Sequence, residues 1–290
     1  MCAQDQTPVF KAGSALVRVD VEVLEKGRLV TGLTAQDFVV TDEGRPQAVQ
    51  FVDRDKAPLQ LLLVLDVSGS MRKYVAEMGA AAQEALAALD AGDEVGIETF
   101  GGDAHLLLEM TPDRRAAAVL LHSAAIDPER KAGTVIYGAL LEAARIFREQ
   151  GKAAARHAIL ILTDNGSLSY KVTDEDVLRA LSGASIVLDA IVPPGTKPPQ
   201  FKSANTDFTP HNIFRIAAET GGEVVPADKT AQRFRELLEH IRSRYSLQYK
   251  APPSEPGVFR HIQVELSADA RRLHPRATVQ ARSGYYAAAE

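Results

Sequence analysis

Residues 61–71 read Leu-Leu-Leu-Val-Leu-Asp66-Val-Ser68-Gly-Ser70-Met. Alternate residues of an extended turn point the same way, so Asp66, Ser68 and Ser70 present three oxygens to one point beyond an apolar run. Oxygen sets of this kind suit hard cations. Mg²⁺ keeps several waters and accepts few protein groups, a preference that two hydroxyls and one carboxylate meet and that Zn²⁺ does not share. Two more oxygens are expected where later strands end. Gly133-Thr134 opens a helical stretch at Val135 and offers a third hydroxyl, while Thr163-Asp164-Asn165-Gly166 follows the apolar run ending at Leu162 and offers a second carboxylate.

Competing chemistries fit these residues less well. A capped helix is the plainest alternative, because Ser and Asp are favoured caps and Ser70 stands just before a helical stretch near Arg72. A cap accounts for one residue of the set. A serine nucleophile on a strand–turn–helix elbow needs Gly-x-Ser-x-Gly, and here Asp66 and Ser70 occupy the glycine positions. His105, His157 and His261 sit in strand-like segments with no partner role identifiable. A phosphatase of the Asp-x-Asp type fails at Ser68, and no Gly-x-x-x-x-Gly-Lys loop occurs, so catalysis is not expected of the chain.

The elements that must position these oxygens fall into three stretches. From Ala15 to about Asp53 the period is two, with Val17, Val19, Val21 and Val23 on one face and Arg18, Asp20 and Glu22 on the other, a half-buried strand. Glu25-Lys26-Gly27 and Asp42-Glu43-Gly44 are hairpin-type turns. Between Pro58 and about Tyr245, nearly continuous apolar runs (Leu61–Leu65, Ala158–Thr163, and Ile186–Val192 broken by Asp189) alternate with helical stretches at Val75–Leu89, Ile136–Phe147, Glu175–Leu181 and Phe234–Ile241. Runs buried on both faces, alternating with helices, predict a doubly wound α/β fold with a mostly parallel sheet. His105–Glu109 is expected as its antiparallel edge strand. After Tyr245 the period returns to two, in Ile262, Val264 and Leu266 and again in Thr278–Ala281. Neither terminal stretch has strands enough to bury a face alone, so the two are expected to combine into one antiparallel β-sandwich. The predicted division is 1–57, 58–245 and 246–290.

With both distal oxygens in order, the set resembles the metal-ion-dependent adhesion site of von Willebrand factor type A domains, over about Pro58–Tyr245. The resemblance implies that Ser68, Ser70 and Thr134 bind the ion directly, and that Asp66 and Asp164 act close by or through water. Mg²⁺ is the implied ion, with Mn²⁺ or Ca²⁺ as substitutes. Neutral hydroxyls leave such a cation electrophilic, so it can take an Asp or Glu from a protein partner, as an adhesion or interaction module would. One departure stands out: Asp164 is followed by Asn165-Gly166 where the family usually has Gly at once, which puts the carboxylate's placement in question. In related domains the last helix slides on ligand binding; here that helix, Thr230–Ser243, runs straight into a strand of the sandwich. Outside the domain, Thr31–Asp42 and Ser283-Gly-Tyr-Tyr286 are similar to a bacterial group known as VWFA-related domain proteins, first grouped from acidobacterial sequences.

Composition sets the remaining bounds. The hydrophobic fraction is 46%, the charged fraction 24% and the net charge −5, an ordinary globular balance with no basic stripe for nucleic acid. Length predicts roughly two domains. The single cysteine, Cys2, excludes an internal disulfide, and no apolar run is long enough to span a membrane. Ala3-Gln4 looks like the product of a signal-peptidase cut, so an exported, periplasmic or extracellular protein is expected. A cytoplasmic metal-binding accessory of an ATPase or chelatase-type machine is the alternative. Two segments are expected to rim the metal face and select the partner: the loop after Asp164, with Ser167, Ser169 and Tyr170, and the proline-rich Pro193–Asn212 stretch, which carries Asp207 and reads as structureless.

Overall fold

The computed structural model describes residues 16–54, 57–124, 133–200 and 203–287. Ala3-Gln4, where a signal-peptidase cut is expected, lies outside these residues. The chain opens with five strands, β1 (Leu16–Glu25), β2 (Arg28–Leu29), β3 (Phe38–Asp42), β4 (Arg45–Gln47) and β5 (Val49–Asp53). Lys26-Gly27 and Glu43-Gly44 all take left-handed φ, between 50° and 72°, which closes the predicted hairpins with primed turns. The middle of the chain supplies β6 (Leu59–Asp66), α1 (Arg72–Leu86), β7 (Glu94–Phe100), β8 (Ala104–Thr111), α2 (Arg114–Ala124) and α3 (Ile136–Gln150). It continues with β9 (Arg156–Leu162), β10 (Leu168–Tyr170), α4 (Asp174–Gly183), β11 (Ile186–Val192) and β12 (Phe208–Pro210). Then come α5 (Ile213–Thr220), β13 (Val224–Pro226) and α6 (Thr230–Arg242). The C-terminal stretch adds β14 (Tyr245–Lys250), β15 (Phe259–Leu266), α7 (Ala268–Leu273), β16 (Ala277–Ala281) and β17 (Gly284–Tyr286).

A six-stranded sheet of order β13-β11-β9-β6-β7-β8 forms the centre. Its strands pair in parallel except β8, which runs antiparallel to β7 along the edge, as the His105–Glu109 stretch predicts. Every residue of β6 is buried because α1, α2 and α6 cover one face of the sheet and α3, α4 and α5 the other. Two helices of the α/β unit, α2 and α5, are absent from the sequence reading, as is the short α7 of the C-terminal stretch. Helix α2 begins at Arg114-Arg115, which reads as plain surface charge; α5 is only 8 residues long and is held at its start by the Asn212 side chain.

The terminal strands form two further sheets, β16-β1-β14-β5 with β2 beside β1, and β17-β15-β3-β4. Both are antiparallel and both draw on the two ends of the chain. Their inner faces share one core of Val17, Val19, Val21, Val40, Leu247 and Val264, among others. The stretches Thr31–Asp42 and Ser283–Tyr286 meet in it. Buried Asp42, the last residue of one, accepts hydrogen bonds from the hydroxyls of Tyr285, in the other, and Tyr249, each at 2.9 Å, and from Arg260 Nε at 2.8 Å.

One expectation for β1 requires correction. Asp20 and Glu22 fall on the face opposite the valines, but that face is covered by the α/β unit, leaving them 8% and 1% exposed. Arg18 on the same face donates to the carbonyl of Ala155 at 2.6 Å. Alternation assigns a residue to a face; it does not reveal what packs there.

Glu98 of β7 is fully buried, and neither of its carboxylate oxygens accepts a hydrogen bond among the described residues. Burial, with a smaller push from Glu142 against the pull of Arg145, raises its pKa from 4.5 to about 8. The folded protein thus keeps this proton at pH values where the unfolded chain has lost it. The resulting stability is complete below about pH 4.5 and declines as pH rises through 8. Glu98→Met is expected to gain roughly 1–3 kcal/mol at pH 8 and much less at pH 4.5, read from urea unfolding at the two values. An equal effect at both would contradict this assignment.

Candidate metal centre

The central sheet carries the Asp66 turn at the carboxyl end of β6, the edge at which open α/β sheets hold ligands. Asp66 itself is fully buried. Its Oδ1 accepts the Ser68 amide at 3.0 Å and its Oδ2 accepts the Thr163 hydroxyl at 3.0 Å. The chain then makes one 3₁₀ turn, Gly69–Met71, before α1. Neither Ser68 nor Ser70 caps it: Ser68 heads the 3₁₀ turn and Met71 heads α1, both without a side-chain cap bond. The two serine hydroxyls face each other at 3.2 Å, and Ser70 Oγ donates to Asp164 Oδ2 at 2.7 Å across 94 residues of sequence.

Asp164 reaches this point because β9 pairs with β6 in register, Leu162 beside Leu65, so the residues just beyond both strands converge. The additional Asn165 does not displace it. Asn165 takes the left-handed conformation (φ 58°) that glycine would supply, its amide donates to Thr163 Oγ1 at 3.2 Å, and its Oδ1 accepts the Ile213 amide at the start of α5. The Gly166 amide meanwhile donates to Asp164 Oδ1 at 3.0 Å, leaving Oδ2 facing Ser70.

Thr134 comes to the same edge through the backbone. The Val67 amide donates to the Phe100 carbonyl at 2.9 Å and the Val135 amide to the next carbonyl, that of Gly101, at 3.0 Å. Gly133 (φ +117°) lies flat on this turn, where a Cβ would sit 3.0 Å from Gly102 Cα. The turn bearing Ser68 and the loop bearing Thr134 therefore hang from adjacent carbonyls, with Thr134 half-buried.

Burial raises the Asp66 pKa; the Ser68 hydroxyl and amide and the Thr163 hydroxyl oppose it, and the Asp164 charge adds to it. Two carboxylates and two hydroxyls thus converge, an all-oxygen set that matches the donors of a hard divalent cation. Thr163, whose hydroxyl donates to Asp66, is the supporting residue that sequence reasoning missed. It reads as the polar end of an apolar run, and its role follows only from the strand pairing.

The rim differs from its expected form. The segment after Asp164 and the Pro193–Asn212 stretch pair as an antiparallel ribbon, β10 with β12, Ser169 opposite Thr209. Proline content hides this pairing, because partner strands with Ser169 and Thr209 so far apart in sequence leave no local signature. Tyr170 and Phe208 are exposed and their rings lie 5.3 Å apart. Ser167 accepts from the His211 amide, and Asp207 accepts from the Lys171 amide at 2.7 Å, so Ser167, Tyr170 and Asp207 all lie on this ribbon or its ends.

His211 has a partner role the sequence does not reveal. It is 1% exposed, packs on the Tyr137 ring and places Nε2 2.8 Å from Ser169 Oγ. Its Nδ1 has no hydrogen-bond partner among the described residues. Burial lowers its pKa to about 4, which keeps the ring neutral.

A family model of the von Willebrand factor type A domain matches residues 61–167. Among solved structures, the chain is similar to an aerotolerance-related membrane protein from Bacteroides fragilis, at 24% identity over 63% of this chain and 98% of that one, with a TM-score of 0.49. It is also similar to a von Willebrand factor type A protein from Catenulispora acidiphila, at 14% identity over 97% of this chain and 76% of that one, with a TM-score of 0.49. Proximal thread matrix protein 1 from the mussel byssus, in a form with a zinc-occupied MIDAS motif, is similar at 15% identity over 70% of this chain and 50% of that one, TM-score 0.47. No curated protein matches the chain. With its Asp-x-Ser-x-Ser turn at the end of a buried parallel strand, the chain carries a von Willebrand factor type A domain.

Proposed function

We propose that the chain is a Mg²⁺-dependent protein-binding module that captures an Asp or Glu side chain of its partner. Ser68, Ser70 and Thr134 would hold the ion, with Asp66 and Asp164 beside them. A bound Mg²⁺ would supply an electrophilic position for a partner carboxylate. The observation carrying this reading is the Ser68–Ser70–Asp164 contact chain, which joins oxygens 94 residues apart at the sheet's ligand edge. Asp66 orients the turn: it fixes the Ser68 amide and draws Thr163, and hence Asn165, into the same frame. The proposal includes an exported location, where such a module would meet its partner.

The test is capture of partners from the native envelope with the full chain, in Mg²⁺ and in EDTA. A partner retained equally in EDTA would overturn the reading. The ribbon extends the proposal to specificity, since Tyr170 and Phe208 offer paired exposed rings beside the metal edge. Tyr170→Ala with Phe208→Ala is expected to weaken capture at least about tenfold, with Mg²⁺ affinity unchanged in calorimetry. Unchanged capture would remove the ribbon from the contact surface. Point substitutions are preferable to replacing the whole Pro193–Asn212 stretch, because that would also remove His211 and the Asn212 cap of α5.

A further inference from the structure

Where β1 of the sandwich packs on the α/β unit, three side chains from distant parts of the chain converge. Glu22 lies on β1, Glu223 just before β13, and His240 on α6. One ligand atom from each lies within 4.8 Å of the other two. His240 Nδ1 is 2.8 Å from Glu223 Oε1 and 3.3 Å from Glu22 Oε1. Glu22 is 1% exposed, yet neither of its oxygens accepts a hydrogen bond among the described residues. A buried carboxylate without donors is costly unless a positive charge meets it.

The guanidinium whose charge acts on Glu22 is already committed. Arg244 forms a two-pronged pair with Asp189 at 2.7 and 2.8 Å, and Asp189 Oδ1 also accepts the Glu223 amide. With that pair neutral, two carboxylates and one imidazole remain, a negative set when the ring is neutral. The set differs from the Ser68–Asp164 centre in having a nitrogen donor. Imidazole with carboxylates suits Zn²⁺ and related transition ions, whose bonds of about 2.0–2.2 Å place adjacent ligand atoms roughly 3.3 Å apart. The side chains of His240 and Glu223 are 19% and 20% exposed, which opens the cluster to solvent on one side.

We infer that Glu22, Glu223 and His240 form a three-ligand site for a Zn²⁺-class ion that clamps the sandwich strand β1 to α6. Water completes the coordination. The competing arrangement is an imidazolium held between the two carboxylates, in which a proton occupies the place of the metal.

The test is Co²⁺ titration of the EDTA-stripped full chain in excess Mg²⁺, which satisfies the hard-cation centre. The expected result is one equivalent of Co²⁺ with the intense visible absorption of a four-coordinate ion, displaced by Zn²⁺. Glu22→Gln and His240→Gln should each weaken this uptake at least about 100-fold, while Asp66→Ala leaves it intact. Melting of both variants in EDTA checks that they fold. If one does not, ¹⁵N spectra of the wild-type histidine rings decide, since Zn²⁺ should shift the His240 Nδ1 resonance. No uptake by the wild type, uptake that persists in both variants, uptake lost with Asp66→Ala, or an unshifted His240 ring would each overturn the inference.

Discussion

Asp66→Asn is expected to weaken Mg²⁺ binding by about 100-fold or more and, with it, to abolish capture of an acidic partner. Asparagine keeps an acceptor for the Ser68 amide and a polar group against Thr163, so the turn is retained. What disappears is the negative charge. That charge is costly where it stands: Asp66 is fully buried, burial raises its pKa, and Asp164 adds like-charge repulsion. In EDTA the variant should therefore be at least as stable as the wild type. Titration calorimetry and urea unfolding, run side by side, separate the two effects. An Asp66→Asn variant that binds Mg²⁺ normally would remove Asp66 from the site; one that is much less stable in EDTA would make its role structural.

The largest loss of stability is expected at Arg244. This side chain is 2% exposed and its partner Asp189 is fully buried in β11. Arg244→Met leaves the Asp189 carboxylate without its counter-charge in the interior, at a cost of about 3–5 kcal/mol in urea unfolding. Removing both charges together, as Arg244→Met with Asp189→Leu, should restore most of the loss, because a well-packed apolar pair carries no desolvation penalty. A single-variant loss below about 1 kcal/mol would show that solvent reaches the pair. The site matters for more than stability, since Arg244 lies between α6 and β14, where the α/β unit passes into the sandwich.

These two positions differ in how far the sequence discloses them. Asp66, Ser68 and Ser70 are legible because the chemistry is local: three oxygens on alternate residues at the end of an apolar run. Asp164 follows from the same logic applied to a later strand, and Ser70 meets it; for Thr134 that logic gives the loop, which the backbone brings to the same edge. The run Ile186–Val192 also announces a buried strand, and Asp189 stands out in it as a polar break. Its partner does not, because Arg244 lies 55 residues away and only the packing of α6 brings it there. Glu22 and Asp20 alternate as solvent-facing residues should, and are buried by a neighbour that alternation cannot reveal. The β10–β12 ribbon and the role of Thr163 are hidden for the same reason. Each is a pairing between segments whose own composition is indifferent to it. Asn165 is the instructive case: it reads as a departure from the expected glycine, and the structure shows it adopting the glycine conformation while its side chain holds the α5 amide.

The most direct measurement is Mg²⁺ titration of the folded, EDTA-stripped chain by calorimetry, with Ser70→Ala and Thr134→Ala alongside. The account predicts uptake at one hard-cation site that either substitution weakens. A wild-type chain that takes up no Mg²⁺ or Mn²⁺, or one whose uptake is indifferent to both changes, would contradict it.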